Sequence, residues 1–167
     1  MATLTSKGHT FDKKVDNYMT PKSAWEQIKH LIPNNKVIWE PFYGDGKSGE
    51  YLKELGFNVI HEDKDFFENN KGDIIVSNPP FSKSESVLKK LSEYDKPFIL
   101  IMPVSKISTG YFKKYFKDNI QIIIPPRRIH FKKIIDGKEP EGWKEQCYFE
   151  CFYYCYKMNL QKDIVWL

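Results

Sequence analysis

The sequence has only three cysteines, Cys147, Cys151 and Cys155, four residues apart in its aromatic final third. No other histidine or cysteine completes a zinc-like spacing, and segment 147–155 is dense in β-formers. The thiols therefore read as reduced core groups sharing one face of a strand, not as a metal set or a disulfide. Glycine and proline are also sparse, at 9 and 10 of 167 residues, while hydrophobic residues make up 41% and aromatic ones 16%. That balance excludes a disordered or low-complexity chain and allows one domain with a real core. Long apolar runs are missing: the longest, 98–103 and 120–126, are too short to cross a bilayer. Residues 1–14 are polar without an apolar centre, which argues against a secretory signal, so a cytoplasmic setting is expected. Neither charge sign dominates. A net charge of +4 and a pI near 8.8 suit a nucleic-acid partner without demanding one.

What is present alternates between two periodicities. Thr20 and Pro21 predict a helix start, with Trp25, Ile28 and Leu31-Ile32 as its apolar stripe. Residues 36–42 read as a short buried strand, followed by a glycine loop and a helix from Ser48 to a stop at Gly56. Further strands are predicted at 57–61, 74–77, 98–102, 120–124 and 147–156, with helical spacing at 84–94 and 111–116. Several strands are apolar on both faces, which predicts an α/β fold: a mostly parallel open sheet with helices on both faces. The last two strands lack a helix between them and predict an antiparallel edge hairpin. Residues 1–17 read as a loose leading segment of a single 1–167 domain, with no separate target-recognition domain.

Two loops carry chemistry. In Glu40-Pro-Phe42-Tyr-Gly44-Asp-Gly46, the glycines let the backbone turn and approach a ligand closely. Glu40 and Asp45 would repel a pyrophosphate and suit a cationic or amine-bearing ligand. One strand later, Asp63, with Glu62 as its rival, is placed to bind a ribose diol. Asp65-Phe66-Phe67 then offers an acceptor for a base amine and an aromatic face for its ring. The second loop, Asn78-Pro79-Pro80-Phe81, directly follows a buried strand. An exocyclic aromatic amine is a poor nucleophile because its lone pair is delocalised. The Asn78 side-chain oxygen and the Pro79 carbonyl can accept its two N–H groups and localise that pair. The prolines fix φ and carry no N–H, and Phe81 can stack on a planar substrate.

The order Tyr18-x-Thr20-Pro21, Glu40–Gly46, Asp63, Asp65–Phe67 and Asn78–Phe81 resembles the class I amino-methyltransferases, and within them the small phage- and virus-type adenine-N6 DNA methyltransferases. The resemblance covers roughly residues 16–131. It implies a Rossmann-like fold, S-adenosylmethionine as cofactor and N6-adenine methylation in nucleic acid, DNA ahead of RNA. A viral enzyme of this kind would work inside the host cell. The donor would be held by Tyr18, Thr20, Glu40, Phe42, Gly44, Gly46, Asp63, Asp65 and Phe66, and the amine by Asn78–Phe81. Many DNA enzymes of the family carry Asp and Tyr at the ends of the tetrapeptide. Asn-Pro-Pro is shared with protein glutamine methyltransferases, which stay open as an alternative, as does a non-catalytic nucleic-acid-binding half of a heterodimer. Target recognition would then come from a partner subunit.

Arg127, Arg128, His130, Phe131, Lys132 and Lys133 interleave cations with aromatic residues after the sixth strand, a pattern suited to phosphate contact and base stacking. Similar Arg-Ile-x-Phe stretches occur in the phage-type enzymes. His130 reads as a loop residue and not a base, and 138–144 as a loop that orders on substrate.

Overall fold

The computed structural model describes residues 16–141, 147 and 149–167. Positions 1–15 of the leading segment, Gly142 and Trp143 of the substrate loop, and Tyr148 lie outside them. The elements are β1 (Tyr18–Met19), α1 (Lys22–Glu26), β2 (Val37–Trp39), α2 (Lys47–Glu54), β3 (Asn58–Ile60), β4 (Ile74–Ser77) and α3 (Ser84–Tyr94). They continue with β5 (Phe98–Pro103), α4 (Gly110–Phe116), β6 (Ile120–Ile124), β7 (Lys132–Lys133), β8 (Cys151–Tyr156) and β9 (Ile164–Trp166).

One sheet runs β3-β2-β4-β5-β8-β6-β9. Its pairings are parallel except those that β8 makes with β5 and β6. Alternation along the strands divides two cores. Ile74, Val76, Ile99, Ile101, Cys151, Tyr153 and Cys155 face α1 and α2, where Trp25, Ile28 and Leu52 are buried. Ile75, Phe98, Leu100, Met102 and Tyr154 face α3 and α4 through Val87, Leu88, Leu91, Phe112 and Phe116. The period of two combined with burial on both faces explains why these strands read as continuous apolar runs.

Local chemistry sets the boundaries. Thr109 caps α4 by accepting from the Phe112 N–H at 3.3 Å. Asp95 ends α3 in the left-handed region at φ 51°. At α1 the cap position is Pro21 with no side-chain cap, so the role expected for Thr20 is unfilled and Thr20 is buried instead.

Two expectations shift, and one connection departs from the strand–helix alternation. The last two predicted strands do pair antiparallel, but not at the edge: β8 inserts between β5 and β6, and β9 forms the outer strand. The predicted strand from 147 begins only at Cys151, because Cys147 is held elsewhere: its Sγ accepts from the Phe131 N–H at 3.3 Å and its own N–H reaches His130 Nδ1 at 3.3 Å. The connection from β3 to β4 carries no helix; Phe66 and Phe67 pack it onto the sheet instead. All three thiols are buried, and desolvation pushes the Cys155 pKa up to about 12. Among the described residues no helix is long and apolar enough to cross a membrane, and no cluster of potential metal ligands occurs.

Candidate active site

β2 and β4 are parallel neighbours, so the loops after them lie side by side at the carboxyl end of the sheet. A cleft opens there, lined by Tyr18, Met19 and Thr20, the loop from Glu40 to Asp45, Ser48, and Asn78–Phe81. The two motif loops and the Tyr18–Thr20 segment, far apart in sequence, thus share one site.

Glu40 braces it from below. It is 1% exposed, and its carboxylate accepts from Ser48 Oγ at 2.8 Å, from the Phe42 N–H at 3.1 Å and from Ser77 Oγ. Trp25 Nε1 donates to the same Ser48 oxygen at 3.0 Å. Desolvation pushes the Glu40 pKa up to about 8 against the three hydrogen bonds, which favours the protonated carboxyl near neutrality. An arriving cation would reverse that balance. His61 faces the Glu40 carbonyl at 3.0 Å through Nδ1 and stacks on Tyr43 at 4.8 Å. Burial lowers its pKa, so Nδ1–H donates and Nε2 is left a buried acceptor with no partner among the described residues. The imidazole fits only because position 49 is glycine: a Cβ there would lie 2.1 Å from the His61 ring. Gly44, at φ +63°, and Gly46, at φ +81°, make the turn into α2.

On the other side of the cleft, Asn78 Nδ2 donates to the Tyr18 carbonyl at 3.1 Å. A carbonyl can only accept, so the amide must turn its NH2 toward Tyr18. Asn78 Oδ1 is thereby left buried with no hydrogen-bond partner among the described residues. Such an orphaned acceptor costs about 1–3 kcal/mol and calls for a donor from outside the protein. Phe81 lines the cleft, edge-on to Phe149 at 5.6 Å.

The other predicted donor ligands are spread out. Gly46 is buried at the start of α2. Asp63 is exposed beyond β3, whereas its rival Glu62 is bound by Lys64 at 2.8 Å and Lys71 at 2.9 Å. Asp65 is buried, with Oδ1 capping the Phe67 N–H at 2.8 Å and Oδ2 without a partner among the described residues. Phe66 offers no ring face to a ligand: it is 1% exposed and enclosed by Trp39, Phe42, Phe67 and Tyr94.

The basic segment is corrected most. Phe131 is fully buried, stacked on Phe149 at 5.9 Å and edge-on to Tyr18 and Phe81, so it packs behind the cleft lining and is not a platform for a base. Arg128 is held by the Cys147 carbonyl at 3.0 Å and by Glu150 at 2.9 Å, and Lys132 pairs with Glu139 at 2.6 Å. Lys133 lies over the Tyr18 ring at 5.7 Å. His130 and Arg127 are exposed, and Arg127 makes no ion pair among the described residues. The segment folds back through β7, which pairs antiparallel with β1. Asp16, Met19, Ser48 and Phe149 join the site without a motif to mark them. Ser48 alone left a trace, as a hydroxyl at the start of the helix after the glycine loop.

The parallel sheet with its reversed inner strand, and loops converging at its carboxyl end, is the class I methyltransferase fold. An RNA methyltransferase assignment from Pyrococcus horikoshii shares that fold, with a TM-score of 0.54, 16% identity and 91% coverage of both chains. A class I S-adenosylmethionine-dependent methyltransferase from Listeria monocytogenes superposes at 0.48 with 14% identity, over 91% of this chain and 66% of that one. In sequence, the chain is similar to two curated enzymes. Type II methyltransferase M.MgeORF184P of Mycoplasma genitalium is 30% identical over 96 residues, which is 56% of this chain. Type II methyltransferase M.EcoRI of Escherichia coli is 33% identical over 85 residues, 42% of this chain. The matched stretches span 30% and 26% of those relatives' own lengths. No protein-family model matches. S-adenosylmethionine is the cofactor this kinship implies.

Proposed function

We propose that the chain is an S-adenosylmethionine-dependent methyltransferase acting on the exocyclic N6 amine of adenine in nucleic acid, DNA ahead of RNA. The observation that carries this reading is the orphaned Asn78 Oδ1, a buried acceptor in the cleft with its amide orientation fixed by Tyr18. DNA is placed first on two grounds: the motif order resembles adenine-N6 DNA enzymes, and two relatives are type II methyltransferases.

The residues present suit the donor. At the cleft Glu40 supplies a buried carboxyl for the methionine ammonium and Gly44 allows close approach. Outside its lining, exposed Asp63 would accept from the ribose, and Asp65 Oδ2, without a partner among the described residues, from the adenine amine. S-adenosylmethionine supplies an electrophilic methyl on a sulfonium. Asn78 Oδ1 and the Pro79 carbonyl would take the two N–H hydrogens of the target amine, turning its lone pair out of the ring plane and toward that methyl. Phe81 would hold the base plane. As nitrogen becomes cationic its proton leaves to solvent, so no side chain of tuned pKa has to act as base. Rate comes from alignment and from acceptors already in place.

The test is methyl transfer from labelled donor to unmethylated DNA, RNA and mixed protein, followed by nucleoside and amino-acid analysis. N6-methyladenine in DNA supports the reading. Methylglutamine in protein would replace it with the alternative that shares Asn-Pro-Pro. Donor binding without any product would point to a missing partner subunit or to a binding-only role.

A further inference from the structure

The amino-terminal edge of the site is fastened at two places on the tetrapeptide loop. Tyr18 contributes its carbonyl to Asn78 Nδ2 at 3.1 Å. Two residues earlier, Asp16 accepts from the Ser82 N–H at 3.0 Å through Oδ1 and from Ser82 Oγ through Oδ2. The same strand is fixed from behind by β7 and by the Ile134 N–H to Asn17 carbonyl bond at 3.0 Å. The Asp16–Ser82 and Tyr18–Asn78 contacts therefore join the same two backbone segments side by side.

We propose that Asp16 is a positioning residue, a latch that holds Ser82 so that the Tyr18 carbonyl stays within reach of the Asn78 amide and Oδ1, not NH2, faces the target amine. Asparagine can rotate its amide by half a turn with little intrinsic preference between the two faces. With Tyr18 out of reach, the NH2 could face the cleft, where two donors would oppose each other and the amine would lose its acceptor. This inference rests on the methyl-transfer reading for its kinetic consequence, though not for its geometry.

Its test uses the full chain with the variants Asp16→Ala, Asp16→Asn and Ser82→Ala. Asp16→Ala is expected to slow single-turnover methyl transfer by about tenfold or more, as small misplacements in a site do, with donor affinity within about threefold of wild type. Asp16→Asn should recover most of the loss, since its amide oxygen can still accept from the Ser82 N–H while its NH2 donates to Ser82 Oγ. Ser82→Ala keeps the backbone bond and should fall between them, and the double variant with Asp16→Ala should be no slower than Asp16→Ala alone. A charge effect on a phosphate backbone would instead make Asp16→Asn resemble Asp16→Ala and would overturn the latch. So would an unchanged rate, or a loss of donor affinity in step with rate. A wild type that methylates nothing bears on the methyl-transfer reading and not on the latch, which the Asn78 side-chain NH2 resonances still decide. One sharp pair in wild type that broadens or shifts in Asp16→Ala supports it; identical pairs overturn it.

Discussion

Gly49→Ala gives a sharp test of how the donor loop is built, because its sign runs against the usual rule. Inside a helix, glycine to alanine ordinarily stabilises by about 1 kcal/mol. Here the added methyl would fall 2.1 Å from Cγ, 2.3 Å from Cδ2 and 2.5 Å from Cβ of His61, all far inside contact distance. His61 would have to move. Overpacking of this kind costs about 1–3 kcal/mol. The displaced ring would also lose its 3.0 Å bond to the Glu40 carbonyl, about 1 kcal/mol, and its stacking on Tyr43, roughly 0.5–1.5 kcal/mol. With the helix gain subtracted, the net expectation is destabilisation by about 1.5–4.5 kcal/mol, which in a chain of this length lowers the melting temperature by roughly 3–18 °C. Urea unfolding followed by circular dichroism reads the free energy, and calorimetry with S-adenosylmethionine reads the loop. In a His61→Ala background the obstruction is gone, and Gly49→Ala should become neutral or stabilising. A Gly49→Ala protein as stable as wild type would refute the packing of His61 against α2 and, with it, the fixed position of the Glu40 backbone.

Other consequences follow from the same contacts. Because the folded pKa of Glu40 is raised to about 8, its contribution to stability is fully present below its unfolded pKa near 4.5 and is lost as pH rises through 8. Glu40→Gln should therefore flatten part of the fall in urea midpoint between pH 5 and pH 8; an unchanged pH dependence would show that the carboxyl is not buried as described. Phe131→Ala should cost about 3–5 kcal/mol as a core deletion, measured by urea unfolding, and a loss of nucleic-acid affinity at full stability would restore the stacking role that burial denies it. Arg127→Ala should leave stability within about 0.5 kcal/mol and lower the salt slope of nucleic-acid binding by about one. Arg128→Ala should instead act on stability, through Glu150 and Cys147.

How much of this was legible in the sequence depended on the range of the interactions. The β5 run Phe98–Met102 announced a strand buried on both faces, and Asn78–Phe81 a loop directly after a buried strand, which lines the cleft, because each signal is contiguous. β9 was missed because Ile164–Trp166 is short and its outer side chains are exposed, with Trp166 75% accessible. The β1–β7 clip was missed because two-residue strands carry no periodicity, and its register, Tyr18 opposite Lys133, is set by tertiary contacts. The interleaved pattern marked Arg128 and Lys132 for phosphate contact, but Glu150 and Glu139 reach them only once the chain has folded back. Phe66 and Phe131 show the same limit: an aromatic residue in a motif looks available for stacking until the core around it is known. Asp16, in a polar leading stretch, gave no signal, since its whole significance lies in Ser82.

The most direct measurement compares wild type and Asn78→Ala in single-turnover methyl transfer at saturating S-adenosylmethionine, with donor affinity determined on the same preparations. If Asn78 Oδ1 is the acceptor that localises the amine lone pair, transfer to adenine N6 falls by about a hundredfold or more while donor affinity stays within a few-fold. Equal losses of rate and affinity, or transfer that survives the substitution, would contradict the assignment of Asn78 to the target amine.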